Sequence, residues 1–209
     1  MLLPSLNIMK YSYIIFFWVL LTLTNRFLFA QHAYPEGLRM GEKAPEFSGT
    51  DIEGRSVEFK DLIKKGPVIL VFYRAKVCPY GKQEIYDFQD RMIQMAKAGK
   101  TVIAIGPDRE IAKQSFTKAG ITNEVPFIED KNYIIHDKYK VTYRLDELTK
   151  ELYEKKGMKV DKADADGSYP LSMPTVYIVS PEGRIKYANC NTDSKLEQTM
   201  TYVEKILNE

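Results

Sequence analysis

The chain has 209 residues, 44% hydrophobic and 28% charged, which suits one globular domain or two small ones and excludes disordered, collagen-like and coiled-coil chains. Two cysteines and two histidines exclude a disulfide-stapled miniprotein and make a poor zinc site, so we expect neither a metal nor a cofactor. Residues 1–30 hold two of the 30 basic residues and none of the 28 acidic ones. The rest of the chain is therefore balanced, and nucleic acid is not an expected partner.

The first element is an apolar run over residues 11–23, which follows the single cation Lys10. It is too short to span a bilayer core, which needs about 20 apolar residues, and the small residue Ala30 behind it is typical of a cleavage point. We therefore predict that residues 1–30 are a signal peptide, that one mature domain covers 31–209, and that the protein is secreted or periplasmic. An uncleaved membrane anchor is the alternative, and it would be the sole contact with a membrane.

The next segments alternate between strand and helix patterns. Residues 35–56 are rich in Gly, Pro and charge and are predicted as a loop, whereas Pro67–Tyr73 is a continuous apolar run typical of a strand buried on both faces. Residues 79–98 have helical spacing, Thr101–Ile105 is a second buried strand, and 108–119 is a second helix. This order predicts a parallel α/β core.

The end of the chain follows a different pattern. Thr175–Val179 and Arg184–Ala188 flank the turn sequence Ser-Pro-Glu-Gly, which predicts a hairpin, and a helix is expected over about 193–207. The whole reads as a βαβα unit followed by a ββα unit, with a central mixed sheet flanked by helices. The charged stretch 142–172 between the two units is predicted to hold one inserted helix, over about 145–155, and otherwise loop.

Cys78 lies five residues after the first buried strand and directly before the first predicted helix. A thiol at a helix N-terminus faces unpaired N–H groups and the positive end of the helix dipole, and both stabilise the thiolate. Pro79 suits the first helical turn because its missing N–H is not needed there, and Arg74 adds positive charge. These features favour a reactive cysteine over a buried structural one.

Several segments resemble the peroxiredoxin-like alkyl hydroperoxide reductase/thiol-specific antioxidant family of the thioredoxin-fold superfamily. Gly41–Phe47, the Asp51…Gly54 turn and the strand ending at Tyr73 resemble the opening of that family. Arg74–Tyr80 resembles its cysteine motif, and Met173-Pro174 before a strand resembles its cis-Pro loop. The resemblance runs in order over about 38–207.

The resemblance implies an α/β thioredoxin fold with Cys78 as the nucleophile. It implies that Arg74 stabilises the thiolate or the peroxide. It further implies a substrate groove lined by Pro79, Tyr80, Met173 and Pro174. The expected partners are a peroxide or disulfide substrate and an external thiol reductant.

The sequence departs from the family pattern around the cysteine. Gly81 stands where a second cysteine would complete a Cys-x-x-Cys pair, Val77 replaces a Trp, and Ala75 replaces a hydroxyl residue. The leading interpretation remains reduction of peroxides through a sulfenic acid on Cys78. The alternatives are a thiol-disulfide oxidoreductase acting through a mixed disulfide and a non-catalytic binding module that has lost the cysteine pair.

The hairpin predicts where the second cysteine lies. If Pro181–Gly183 is a three-residue loop, Ser180 faces Arg184, and Cys190 lies opposite Pro174 to within one residue. Since the resemblance puts Pro174 beside the nucleophile, Cys190 is a candidate resolving thiol, with an incidental unpaired cysteine as the alternative. No sequence signal ties His136 to Cys78, so His136 is interpreted as a surface or packing residue.

Overall fold

The computed structural model of the chain describes residues 35–73, 92–110, 113, 125–157, 160, 167–190 and 205. The strands of this part are β1 (Ser48–Thr50), β2 (Ser56–Glu58), β3 (Val68–Phe72), β4 (Thr101–Gly106), β5 (Phe127–Glu129), β6 (Thr142–Leu145), β7 (Tyr169–Ser172), β8 (Thr175–Val179) and β9 (Ile185–Cys190). Its helices are α1 (Phe59–Ile63), α2 (Ile134–Lys138) and α3 (Glu147–Lys155), and residues 92–97 and 109–110 are also helical.

A five-stranded mixed sheet in the order β5-β4-β3-β8-β9 forms the centre of the fold. Strands β3, β4 and β5 are parallel, and β8 is antiparallel to both β3 and β9. Every residue of β3 is fully buried, as its continuous apolar sequence predicts for a strand covered on both faces. The predicted mixed sheet is confirmed.

The alternation of side chains along β3 divides the core in two. Leu70 and Phe72 join an aromatic-rich cluster on one face, with Tyr139 and Tyr177 among its members. Ile69, Val71 and Tyr73 point to the other face. There Met92 and Met95 of the helical residues 92–97 pack against the sheet, which agrees with the described end of the helix predicted over 79–98.

Five short strands were not predicted. Strand β5 pairs with β4 at the edge of the sheet, β1 pairs with β2 inside the predicted loop 35–56, and β6 pairs with β7 where loop was expected in 142–172. Strands of three or four residues carry too little alternation to be read from sequence. The inserted helix is confirmed as α3, which begins where the Asp146 carboxylate accepts a hydrogen bond from the Thr149 N–H at 2.7 Å.

The predicted hairpin is confirmed, with one bulge. At its tip the Ser180 N–H donates to the Arg184 carbonyl at 2.9 Å, as the three-residue loop requires. An irregularity between Ile178 and Val179 then shifts the register by one residue. Cys190 consequently lies opposite Thr175 rather than Pro174, within the tolerance of the prediction.

Other predicted segments lie outside the described residues. They are the signal peptide 1–30 with its boundary to the mature domain, most of the helix over 79–98, the end of the helix over 108–119, and nearly all of the helix over 193–207. Within the described ranges no helix is long and apolar enough to cross a membrane.

Phe59 tests the aromatic-rich core. Its ring is fully buried and stacks on Phe47 with 4.8 Å between ring centroids. Phe59→Ala is expected to lower the free energy of unfolding by about 3–5 kcal/mol, because it leaves a cavity in a close-packed core. The control Leu148→Ala, at a side chain 69% exposed on α3, should change it by less than about 0.5 kcal/mol. Urea denaturation followed by circular dichroism measures both, and equal losses would contradict this placement of Phe59.

Candidate functional site

Several strands begin or finish at one end of the central sheet, which is here named the carboxyl end. Strands β3, β4 and β5 finish there, β8 begins there with Thr175 opposite Phe72, and β9 finishes there at Cys190. Ligands of open α/β sheets bind outside the carboxyl ends of the parallel strands. Four predicted site residues follow β3 in the sequence but fall outside the described residues: Arg74, Cys78, Pro79 and Tyr80.

The Met173-Pro174 loop joins β7 to β8 at the carboxyl end. Met173 is buried, its N–H donates to the Val141 carbonyl at 2.8 Å, and its carbonyl accepts from the Thr175 hydroxyl at 3.0 Å. The peptide bonds of the described residues are all trans, so the expectation of a cis bond before Pro174 is wrong, and the bond has the geometry that X–Pro bonds usually prefer. The loop nevertheless lies beside the end of β3, where a substrate groove was predicted.

Cys190 lies at the carboxyl end with a partly buried side chain. Its Sγ donates a hydrogen bond to the Pro35 carbonyl, with 3.4 Å between the two atoms. Burial raises the pKa of the Cys190 thiol, and the hydroxyl of Thr175 acts in the opposite direction. At neutral pH Cys190 is therefore a protonated thiol and a weak nucleophile.

Residues 35–38, here named the N-terminal strap, cover Cys190. The Leu38 N–H donates to the Tyr177 hydroxyl at 2.9 Å, and that hydroxyl donates to the Tyr139 carbonyl at 3.2 Å. Gly37 has a left-handed backbone, with φ at +69°, and a Cβ added there would lie 2.6 Å from the Tyr177 Oη and 3.0 Å from the Cys190 Cβ. Only glycine fits this approach without displacing the strap.

Tyr73 is the last described residue before the segment that carries Cys78. Its side chain is buried, and its hydroxyl has no hydrogen-bond partner among the described residues. Burial raises the pKa of the Tyr73 phenol well above its ordinary value, and Asp108 adds to the effect. The ring packs edge to face on Phe127 with 5.2 Å between centroids. A neutral hydroxyl donor therefore stands at the start of the predicted cysteine segment.

A buried polar cluster on the other face of the sheet was missed by the sequence analysis. His136 is fully buried, with its Nδ1 2.6 Å from Asp130 Oδ2 and its Nε2 3.0 Å from Ser172 Oγ. Of the two interpretations of His136, as a surface or a packing residue, the surface one is wrong, because the side chain is fully buried. Asp130 six residues earlier is a weak signal for this contact, whereas nothing in the sequence points to Ser172.

These three residue types also form the triad of serine hydrolases. A nucleophile must reach its substrate, yet Ser172 is only 1% exposed and His136 is 0% exposed. The cluster is therefore not read as a hydrolase site. Within the described ranges no group of three or more His, Cys, Asp or Glu side chains is placed to hold a metal ion.

The sequence model of the AhpC/TSA family matches residues 40–188, a range that begins shortly after the strap and ends within β9 at Ala188. The chain belongs to the AhpC/TSA family. A Coxiella burnetii protein named as a peroxiredoxin, bcp, is 29% identical over 150 residues, which are 71% of this chain and 85% of that protein. The thiol-disulfide oxidoreductase ResA of Bacillus cereus is 36% identical over 84 residues, 40% of this chain and 47% of ResA.

A solved structure, peroxidoxin BcpB of Mycobacterium tuberculosis, has a TM-score of 0.58 at 15% identity, over 81% of this chain and 98% of that one. This likeness confirms the predicted thioredoxin fold. The AhpC/TSA protein is thus a thiol peroxidase or a thiol-disulfide oxidoreductase. Family membership implies peroxides and thiol reductants as the classes of molecule that it meets.

The strap is expected to control the reactivity of Cys190. Gly37→Ala forces the strap away from Tyr177, so the rate of Cys190 alkylation by iodoacetamide should rise roughly tenfold as local opening becomes easier. Gly41→Ala is the matched control, because Gly41 is also left-handed, at φ +87°, but has no atom within 4 Å of the added Cβ. Peptide mass spectrometry reads the modification at Cys190. Equal rates in the two variants would show that the strap is not the barrier.

Proposed function

We propose that this family member is an extracytoplasmic thiol peroxidase in which the Cys78 thiolate reduces a peroxide through a sulfenic acid. The proposal is carried by the position of Cys78, five residues after the last described residue of the β3 segment. Five extended residues reach at most roughly 18 Å, so the chain tethers the thiol to the carboxyl end of the sheet. Family membership and the peroxiredoxin relatives support the same reaction.

The chemistry begins with attack of the Cys78 thiolate on one oxygen of the peroxide. The S–O bond forms as the O–O bond breaks, which oxidises the sulfur and releases the second oxygen as an alkoxide or hydroxide. That oxygen takes a proton and leaves as an alcohol or water. Arg74 and the predicted helix N-terminus at Pro79 would stabilise the thiolate.

The sulfenic acid is then reduced by a second thiol. This thiol attacks the oxidised sulfur, a disulfide forms, and the hydroxyl leaves as water. The environment of Cys190 makes it a slow second thiol, because the strap covers it and burial raises its pKa. An external thiol reductant that reaches Cys78 directly needs no such opening. We therefore assign the reductive step to an external thiol, with Cys190 as the competing candidate.

Disulfide exchange is the second candidate reaction, and the similarity to ResA favours it. In that reaction the Cys78 thiolate attacks a disulfide and releases one of its sulfurs as a thiol, which leaves a mixed disulfide. Gly81 occupies the position of the local resolving cysteine, so a second thiol would again come from elsewhere. Peroxide reduction is preferred because it requires one reactive cysteine rather than an adjacent pair.

Exposure of the reduced mature protein to one equivalent of hydrogen peroxide separates these reactions. We expect a trapped sulfenic acid on Cys78, read by peptide mass spectrometry after labelling, and no such product in Cys78→Ser. Cys190→Ser should give the same product and the same recovery with an added thiol. A Cys78–Cys190 disulfide in the unaltered chain would assign the resolving role to Cys190. An unmodified Cys78 would contradict the peroxidase proposal and leave disulfide exchange as the remaining candidate reaction.

The extracytoplasmic location rests on residues 1–30 and is tested separately. Expression of the full chain in a bacterial secretion host should yield a periplasmic protein that starts at Gln31, as read by N-terminal mass spectrometry. Leu20→Arg places a charge in the apolar run and should keep the uncleaved chain inside the cell. A membrane-bound chain that retains residues 1–30 would contradict cleavage and favour the anchor.

A further inference from the structure

The Asp130–His136–Ser172 cluster joins three elements through one imidazole ring. Asp130 follows β5, His136 belongs to α2, and Ser172 ends β7. The Asp130 Oδ2 accepts from the backbone N–H of His136 at 2.8 Å and lies 2.6 Å from Nδ1 of the same residue. Nδ1 of the imidazole thus faces Asp130, and Nε2 is the atom that faces Ser172.

The imidazole is enclosed by aromatic rings. The Phe72 ring meets it edge to face with 5.0 Å between centroids, and the Tyr133 ring lies 5.2 Å away. Tyr133 has a left-handed backbone, with φ at 56°, which bulky residues rarely adopt. A buried polar chain in such surroundings is held in one arrangement, because any lost hydrogen bond would leave a desolvated polar group.

The cluster adjoins the Met173-Pro174 loop, which is the described part of the predicted substrate groove. Ser172 is the residue before the Met173-Pro174 loop, and Thr175 behind that loop pairs with Phe72 at the end of β3. The imidazole therefore holds the start of the loop on one side, while its ring contact reaches the last residue of β3 on the other. A shift of Ser172 would move the loop relative to the end of β3, the strand from which the sequence continues to Cys78.

We propose that Asp130, His136 and Ser172 are positioning residues for the thiol reaction. Their hydrogen bonds fix the Met173-Pro174 loop at the carboxyl end of β3, so that the loop can orient the peroxide for its reaction with Cys78. The inference rests on the proposed function for its substrate. It requires no proton transfer by His136 and no direct contact between Ser172 and the substrate.

The test compares two reagents at Cys78, each followed by peptide mass spectrometry. Oxidation by hydrogen peroxide depends on the groove, whereas alkylation by iodoacetamide depends mainly on the thiolate. Ser172→Ala should lower the oxidation rate constant about tenfold, since small misplacements of reacting groups slow reactions strongly, and leave alkylation within about twofold. The control is Ser180→Ala, which removes a buried serine hydroxyl at the other end of β8 and should change neither rate by more than about twofold.

Two results would overturn the positioning role. Unchanged oxidation in Ser172→Ala would show that the loop does not need the cluster, and equal loss of both rates would show that the thiol itself is altered. Thermal unfolding of both serine variants separates these effects from loss of the fold. A different result would contradict the proposed function itself: Cys78 of the unaltered protein reacts with peroxide no faster than free cysteine does.

In that case the rates of Ser172→Ala, Ser180→Ala and the unaltered protein are compared with oxidised glutathione in place of peroxide, and that comparison tests the positioning role.

A double-mutant cycle tests whether His136 and Ser172 act through the hydrogen bond between them. His136→Asn keeps an amide within reach of Asp130 but cannot reach Ser172, so it breaks the same bond from the other side. If His136 acts through Ser172, the double variant should oxidise as slowly as either single one. If the two single losses multiply, so that the double variant oxidises about a hundredfold more slowly than the unaltered protein, the two residues act independently. That result would contradict the proposed hydrogen-bonded cluster.

Discussion

The pairing of β3 on both sides is the constraint on which the rest of the molecule depends. Its five residues are completely buried, so each of its backbone N–H and C=O groups needs a partner within the protein. The parallel strand β4 and the antiparallel strand β8 supply those partners. The end of β3 is therefore a fixed point, and the Met173-Pro174 loop and the buried histidine are placed with respect to it.

The environments of the two cysteines favour different roles in the proposed chemistry. Cys78 is predicted at a helix start among basic residues, where the thiolate is stabilised. Cys190 is covered by the strap and hydrogen-bonded to the Pro35 carbonyl, and burial keeps its thiol protonated. The covered, protonated thiol of Cys190 agrees with the proposed cycle, in which an external thiol rather than Cys190 reduces the oxidised Cys78.

Sequence patterns worked where a segment repeats its signal over many residues. The apolar runs predicted β3, β4 and β8, and the turn chemistry of Pro181–Gly183 placed Cys190 within one residue of its observed partner. The error of one residue comes from a bulge beside Ile178, for which the hairpin sequence has no distinct signal. The sequence did not predict the short strands β1, β2, β5, β6 and β7, because three or four residues do not establish a period. The trans bond before Pro174 differs from the cis bond of the family's loop.

The sequence by itself determined the family resemblance, the order of the main elements and the position of Cys78 between a buried strand and a helix signal, because those features depend on neighbouring residues. Only the tertiary structure decided which distant groups share a hydrogen bond. Ser172 reaches His136 across 36 residues, Leu38 reaches Tyr177 across 139, and Cys190 reaches Pro35 across 155. Such contacts form only when the fold brings distant segments together, and no local pattern of residues predicts which segments meet.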